Sequence, residues 1–106
     1  MRIHFILIGE GSSDEGLIPH LENLCIECGA EEVTGVAPDL RRLPYSVGHS
    51  VEEKLRETLR LEPKANLIFI HRDADSNDAQ PRYQEIEQAV NVCQLDKLWV
   101  AVVPIQ

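Results

Sequence analysis

No apolar run in this 106-residue chain approaches the roughly 20 residues that span a bilayer, so no transmembrane helix is expected. The opening stretch, Met-Arg-Ile-His-Phe-Ile-Leu-Ile, is apolar but short and lacks a small-residue cleavage site. It reads as a strand and not as a signal peptide, which makes the cytoplasm the expected compartment. Cysteine is scarce: Cys25, Cys28 and Cys93 are an odd number and imply no disulfide framework. Cys25 and Cys28 form a single C-x-x-C with no second pair. They fall in an apolar helical pattern with Leu17, Leu21 and Leu24, so core packing accounts for them without zinc or redox chemistry. Positive charge is also short, with 10 basic against 18 acidic residues and a formal net of −8. A protein that coats a duplex draws its affinity from neutralising phosphates and is basic, so this chain is a poor stand-alone DNA-binding module. An acidic chain can still handle phosphate substrates when carboxylates hold a divalent cation that inverts the local sign. There is no internal repeat and no low-complexity segment.

What is present is the composition of one soluble globular domain over residues 1–106, 43% hydrophobic and 26% charged. Residues 3–8 form a continuous apolar, β-branched run, expected to be a fully buried strand. The turn Gly9-Glu10-Gly11 follows, and Ser12 with Glu15 has capping-box spacing for a helix over about 13–28, stopped by Gly29. A second strand is expected at 32–36, then a loop punctuated by Pro38, Pro44 and Gly48. Ser50 and Glu53 repeat the capping-box spacing. Val51, Leu55 and Leu59 supply a stripe for a second helix that ends before Pro63. Residues 66–71 read as a central third strand. Pro81 opens a third helix whose buried face is expected to be Tyr83, Ile86, Val90 and Cys93, and residues 98–103 are the fourth strand. The order β-α-β-α-β-α-β predicts an α/β fold, a three-layer α/β/α arrangement around a four-stranded parallel sheet in the order 2-1-3-4. The sequence stops almost on its last strand, so a domain cut from a longer protein is expected. On that expectation a following segment covers the sheet edge and completes a substrate groove, the fragment alone has little activity, and a homodimer or partner segment pairs at the strand-four edge.

In an open parallel sheet the functional site lies outside the carboxyl ends of the strands, where the strand order reverses. Two acidic groups fall there: Glu10 after strand one, and Asp73 with Asp75 after strand three. In the order 2-1-3-4 these loops leave neighbouring strands, and three converging carboxylates would hold a magnesium ion. Asp14 and Glu15 are explained by the positive end of a helix dipole, and Asp78, near the third helix start, by a cap. Arg72, beside Asp73, is the best candidate phosphate contact, with Gly11 and Ser12 in the first turn. Arg41 and Arg42 read as solvated loop, His71 as a packed strand-end histidine, and Lys54, Arg56 and Arg60 as helix-face cations away from the strand ends. Gly9, Gly11 and Gly16 miss the G-x-G-x-x-G spacing, which argues against a dinucleotide site.

The motif Gly9-Glu10-Gly11 with acids following, together with an apolar strand leading to Asp73-x-Asp75, resembles the Toprim domain. Topoisomerases, bacterial primases, small nucleases and the overcoming-lysogenization-defect nucleases share that fold. The resemblance runs from about residue 3 to 103. It implies that Glu10 is a general acid or base and that Asp73 and Asp75 bind magnesium; the convergence at the strand ends makes Glu10 a candidate ligand as well, for magnesium or manganese. Where the family often carries a glycine or further acid, Ser76-Asn77-Asp78 stands here, so only Asp78 can serve as an additional ligand. Without a tyrosine-bearing cleavage domain or a zinc module, the expectation is neither a topoisomerase nor a complete primase. It is a magnesium-dependent nuclease or related phosphoryl-transfer hydrolase acting on nucleic acid or nucleotide. Two alternatives stand beside it. One is a D-x-D phosphatase or nucleotide-sugar enzyme using Asp73, although aspartyl-phosphate enzymes carry that pair on the first strand. The other is a non-catalytic interaction module, which the net charge of −8 favours.

Overall fold

The computed structural model describes residues 1–9, 16–40, 43–45, 48, 50–74 and 77–104. Along the chain run β1 (Arg2–Ile8), α1 (Ile18–Glu27), β2 (Glu32–Val36), α2 (Val51–Leu61), β3 (Leu67–His71), α3 (Gln80–Val92) and β4 (Leu98–Val102). All three strand pairings are parallel, and the sheet order is β2-β1-β3-β4. The fold is therefore α/β with the expected strand order. The two strands richest in Ile, Leu and Phe take the central places. Residues buried on both sheet faces gain most from losing contact with water, and Phe5, Ile6, Leu7 and Ile8 of β1 and Ile68, Phe69 and Ile70 of β3 are all buried.

Side-chain alternation divides these residues between two cores. Phe5, Leu7 and Phe69 pack with Cys25 and Ala30 and with Leu17, Ile18 and Leu21, so α1 covers one face. Ile6, Ile8, Ile68 and Ile70 pack with Val51 and Leu55 of α2 and Ile86, Ala89 and Val90 of α3, which share the other. Phe5 meets Phe69 edge to face, with ring centroids 5.2 Å apart at 90°. Gly35 stands opposite Phe5 in the β1–β2 register, and a Cβ at that position would run into the Phe5 ring. β4 is less well covered on the α1 side: Leu98 is 76% and Val100 44% exposed, while Trp99 and Ala101 face the α2–α3 core. Among the described residues no helix is long and apolar enough to cross a membrane.

The helix ends follow local chemistry. α1 begins at Ile18, later than the expected residue 13, with Pro19 in its first turn. Proline has no N–H to donate and clashes with the carbonyl four residues back, so it belongs at a helix start. The Ser12–Glu15 spacing lies outside the described residues. At the other end Ala30 N–H donates to Cys25 O and Gly29 N–H to Ile26 O, both at 3.0 Å, with Gly29 at φ +106°. This paired closure needs a residue that tolerates positive φ. Cys28 falls at this terminus and is exposed, correcting the expectation that both cysteines pack; Cys25 is buried. Ser50 caps α2, its hydroxyl oxygen accepting Glu53 N–H at 3.1 Å while its O–H donates to the Glu53 carboxylate at 3.0 Å. Just before β3, Asn66 bonds the neighbouring strand with backbone and side chain alike: its N–H donates to His4 O, and its side chain accepts His4 N–H and donates to Arg2 O, each at 2.9 Å. Tyr83 does not join the buried face of α3. It is 39% exposed, and Ala89 packs beside Ile86 and Val90 instead. The first turn of α3 lies level with the carboxyl end of β3, where Arg82 bonds Asp73, past the apolar strip of the sheet.

Candidate functional site at the strand ends

The central strands end side by side, with Ile8 of β1 paired to Ile70 of β3. The chain leaving β3 stays beside the chain leaving β4: Arg72 N–H donates to Val102 O at 3.0 Å and Ala74 N–H to Pro104 O at 3.1 Å. Ala74 is buried by this arrangement. Strand alternation carries His71 and Asp73 to the same side. The buried His71 places Nε2 3.5 Å from Oδ1 of Asp73, whose side chain is 50% exposed. Asp73 is thus a carboxylate open to solvent on one side and faced by an imidazole on the other.

The backbone of this turn is tied to α3. Arg82 Nε–H donates to Asp73 O at 3.1 Å, and Arg82 Nη1–H donates to Glu85 Oε2 at 3.0 Å. The other Glu85 oxygen lies 3.3 Å from Arg72 Nε. One carboxylate therefore bridges the arginine preceding Asp73 and the arginine holding its carbonyl. The Arg82–Glu85 bond is charge-assisted and so among the stronger hydrogen bonds, while the contact of Arg72 Nε with Glu85 is an ion pair and not a hydrogen bond. The structure accordingly sets Arg72, the candidate phosphate contact, against Glu85. Asp78 accepts Gln80 N–H at 2.9 Å through its carboxylate, at the start of α3.

Lys54 corrects the sequence reading. Its Nζ donates to Gly9 O at 3.1 Å, so it reaches the carboxyl end of β1 instead of lying on a helix face away from it. A helix following a parallel strand starts at the carboxyl end of the sheet, and a lysine in its first turns has the reach to bend over the strand ends. That topological rule was the signal available in the sequence. Arg56 and Arg60 do lie along α2, paired with Glu52 and Glu57. Tyr45 donates to Glu57 and also accepts from Arg60, which holds its ring against α2. The bond to Glu57 raises the Tyr45 pKa, and the Arg60 bond, followed by the Tyr45 bond, lowers that of Glu57.

Glu10, Gly11, Ser12, Asp14, Glu15, Arg41, Arg42 and Asp75 lie outside the described residues. Among the described residues no three His, Cys, Asp or Glu side chains group closely enough to hold a metal. Asp73 itself suits a hard divalent cation, being an oxygen donor, half exposed, at the end of a central strand. In the C-x-x-C, burial raises the Cys25 thiol pKa, reinforced by Cys28 and Glu22. A shallow cleft of about 470 Å³, lined by His4, Leu61, Glu62, Pro63 and Lys64, lies at the opposite, amino-terminal end of the sheet. No family model, no curated protein and no solved structure matches this chain. Fold and strand ends together define a parallel α/β sandwich with a solvent-open carboxylate beside its central strand pair.

Proposed function

We propose that this chain is a Toprim-like domain whose strand ends bind magnesium or manganese and carry out nuclease or related phosphoryl-transfer hydrolysis. One observation supports the reading above the rest. The order β2-β1-β3-β4 makes β1 and β3 neighbours, so the segment containing Glu10 and the turn containing Asp73 and Asp75 leave adjacent strands. Glu10, Asp73 and Asp75 would be the ligands, with Asp78 as a further candidate. Bound there, the metal supplies Lewis-acid polarisation of a phosphoryl oxygen and a lowered water pKa. The protein's own part is positional and acid–base: Glu10 moves the proton, His71 orients the Asp73 carboxylate, and Arg82 holds the turn. The substrate is a nucleic acid or nucleotide, and the compartment is the cytoplasm. A D-x-D phosphatase fits less well, because the pair follows β3 and not β1. The exposed Leu98 and Val100 on edge strand β4 favour a second reading, an interaction module that pairs there with a partner segment or another copy.

Titrating Mn²⁺ into the wild type and into Asp73→Asn/Asp75→Asn tests the metal site. The double variant should bind at least about tenfold more weakly, the least that disturbing a metal's ligand environment costs. Equal binding refutes the assignment. Mn²⁺-dependent cleavage of single- and double-stranded DNA and RNA, lost in Glu10→Gln and Asp73→Asn, separates the enzyme from the interaction module.

A further inference from the structure

We infer that Lys54 is a phosphate contact of the strand-end site, and that the site takes a substrate presenting one or two phosphates, a nucleotide or short oligonucleotide end. The location rests on the reading above; the phosphate contact can be measured without the metal. Position is the first argument. Lys54 Nζ lies 3.1 Å from the carbonyl of Gly9, directly after β1 and beside the strand whose end carries Asp73.

Charge is the second. Arg2 lies against Glu32, Arg56 against Glu52, and Arg60 against Glu57. The hydrogen-bond partner of Lys54 is a neutral carbonyl, which leaves the ammonium charge uncompensated by that contact. Lys97 also bonds a carbonyl, that of Pro63 at 2.7 Å, but it does so at the amino-terminal end of the sheet. Only the combination of neutral partner and location distinguishes Lys54. An ammonium has three donors; the Gly9 bond uses one and holds the stem, and the other two can meet phosphate oxygens.

Size is the third argument. A long polyanion needs a row of cations along its path, and this chain has a formal net charge of −8. Among the described residues Lys54 is the one lysine at the strand ends, and Arg72 and Arg82 there are drawn onto Glu85, which suits one or two phosphates and not a long tract. The substrate is therefore a small phosphate ester or a strand terminus, and not a duplex tract.

The experiment uses the 106-residue chain and a fluorescent 5′-phosphorylated dinucleotide, its dephosphorylated form as control, each with EDTA and with Mn²⁺. With EDTA, Lys54→Met should bind the phosphorylated probe about tenfold more weakly, and the slope of log K against log salt should become shallower, because one screened charge pair is lost. Lys54→Arg should retain both, and the dephosphorylated probe should not distinguish the variants. A purely structural role for Lys54 would not change the salt slope. Wild-type affinity and slope in Lys54→Met overturn the inference, as does a wild type that ignores the 5′-phosphate. Mn²⁺ affinity without probe should be unchanged in Lys54→Met. If Mn²⁺ ignores Asp73→Asn/Asp75→Asn while the Lys54 effect persists in EDTA, the metal reading fails and the phosphate contact stands.

Discussion

Replacing Gly35 by alanine sets backbone preference against packing, and the structure decides the sign. Alanine is favoured over glycine inside a strand by roughly 0.5–1 kcal/mol, because the unfolded chain loses less freedom. Against this, the new Cβ would run into the ring of Phe5, its partner in the β1–β2 register. The ring has little room to retreat, since Phe5 is fully buried and set edge-on to Phe69 at 5.2 Å. Overpacking of a well-filled core costs about 1–3 kcal/mol. The balance is a net loss of up to about 2.5 kcal/mol, centred near 1, which for a domain of this size lowers the melting temperature by roughly 4–8 °C per kcal/mol. Thermal and urea denaturation of Gly35→Ala, Phe5→Leu and the double variant measure it. Phe5→Leu is itself destabilising, giving up buried surface and an aromatic pair worth about 0.5–1.5 kcal/mol. In that background Gly35→Ala should cost less than in the wild type, or stabilise, with a coupling of about 1 kcal/mol. A higher melting temperature for Gly35→Ala alone, or the same cost in both backgrounds, would refute the steric argument.

Thiol labelling should modify the exposed Cys28 first and reach the buried Cys25, whose thiol pKa is raised by burial, only on unfolding; fast labelling of Cys25 in the folded chain would contradict the packing of α1. Tyr45 has a raised pKa, chiefly through its bond to Glu57, so its contribution is present below about pH 10 and lost as the pH rises through the raised value; Tyr45→Phe should abolish this part of the alkaline loss in stability curves. Glu57 has a lowered pKa, chiefly through Arg60, so its contribution holds above the ordinary carboxylate range and disappears as acid takes the pH through the lowered value; Glu57→Gln should flatten that acid limb.

Strand positions were legible because their evidence is local. The β-branched runs around Ile6 and Ile68 are too apolar for anything but a central place, and alternation with helical stripes leaves only parallel crossovers. Ser50, Gly29 and Pro81 marked helix ends through bonds made within a few residues. The start of α1 is also written in the sequence, at Pro19, which belongs in a first helical turn. The candidate site was legible as acids at strand ends, Asp73 among them. Its surroundings were not, because side chains distant in sequence supply them. Glu85 bridges Arg72 and Arg82, His71 turns toward Asp73, and Lys54 reaches a carbonyl 45 residues away. Tyr83 sits one turn too early on α3 to meet the apolar sheet, and only the placement of that helix against β3 reveals it. Hydrophobic periodicity determines which face of an element is buried, since burial of apolar area is non-directional and additive along the chain. Which charged group meets which depends on the distances between elements, and those exist only once the sheet has assembled and brought the ends of β1 and β3 together.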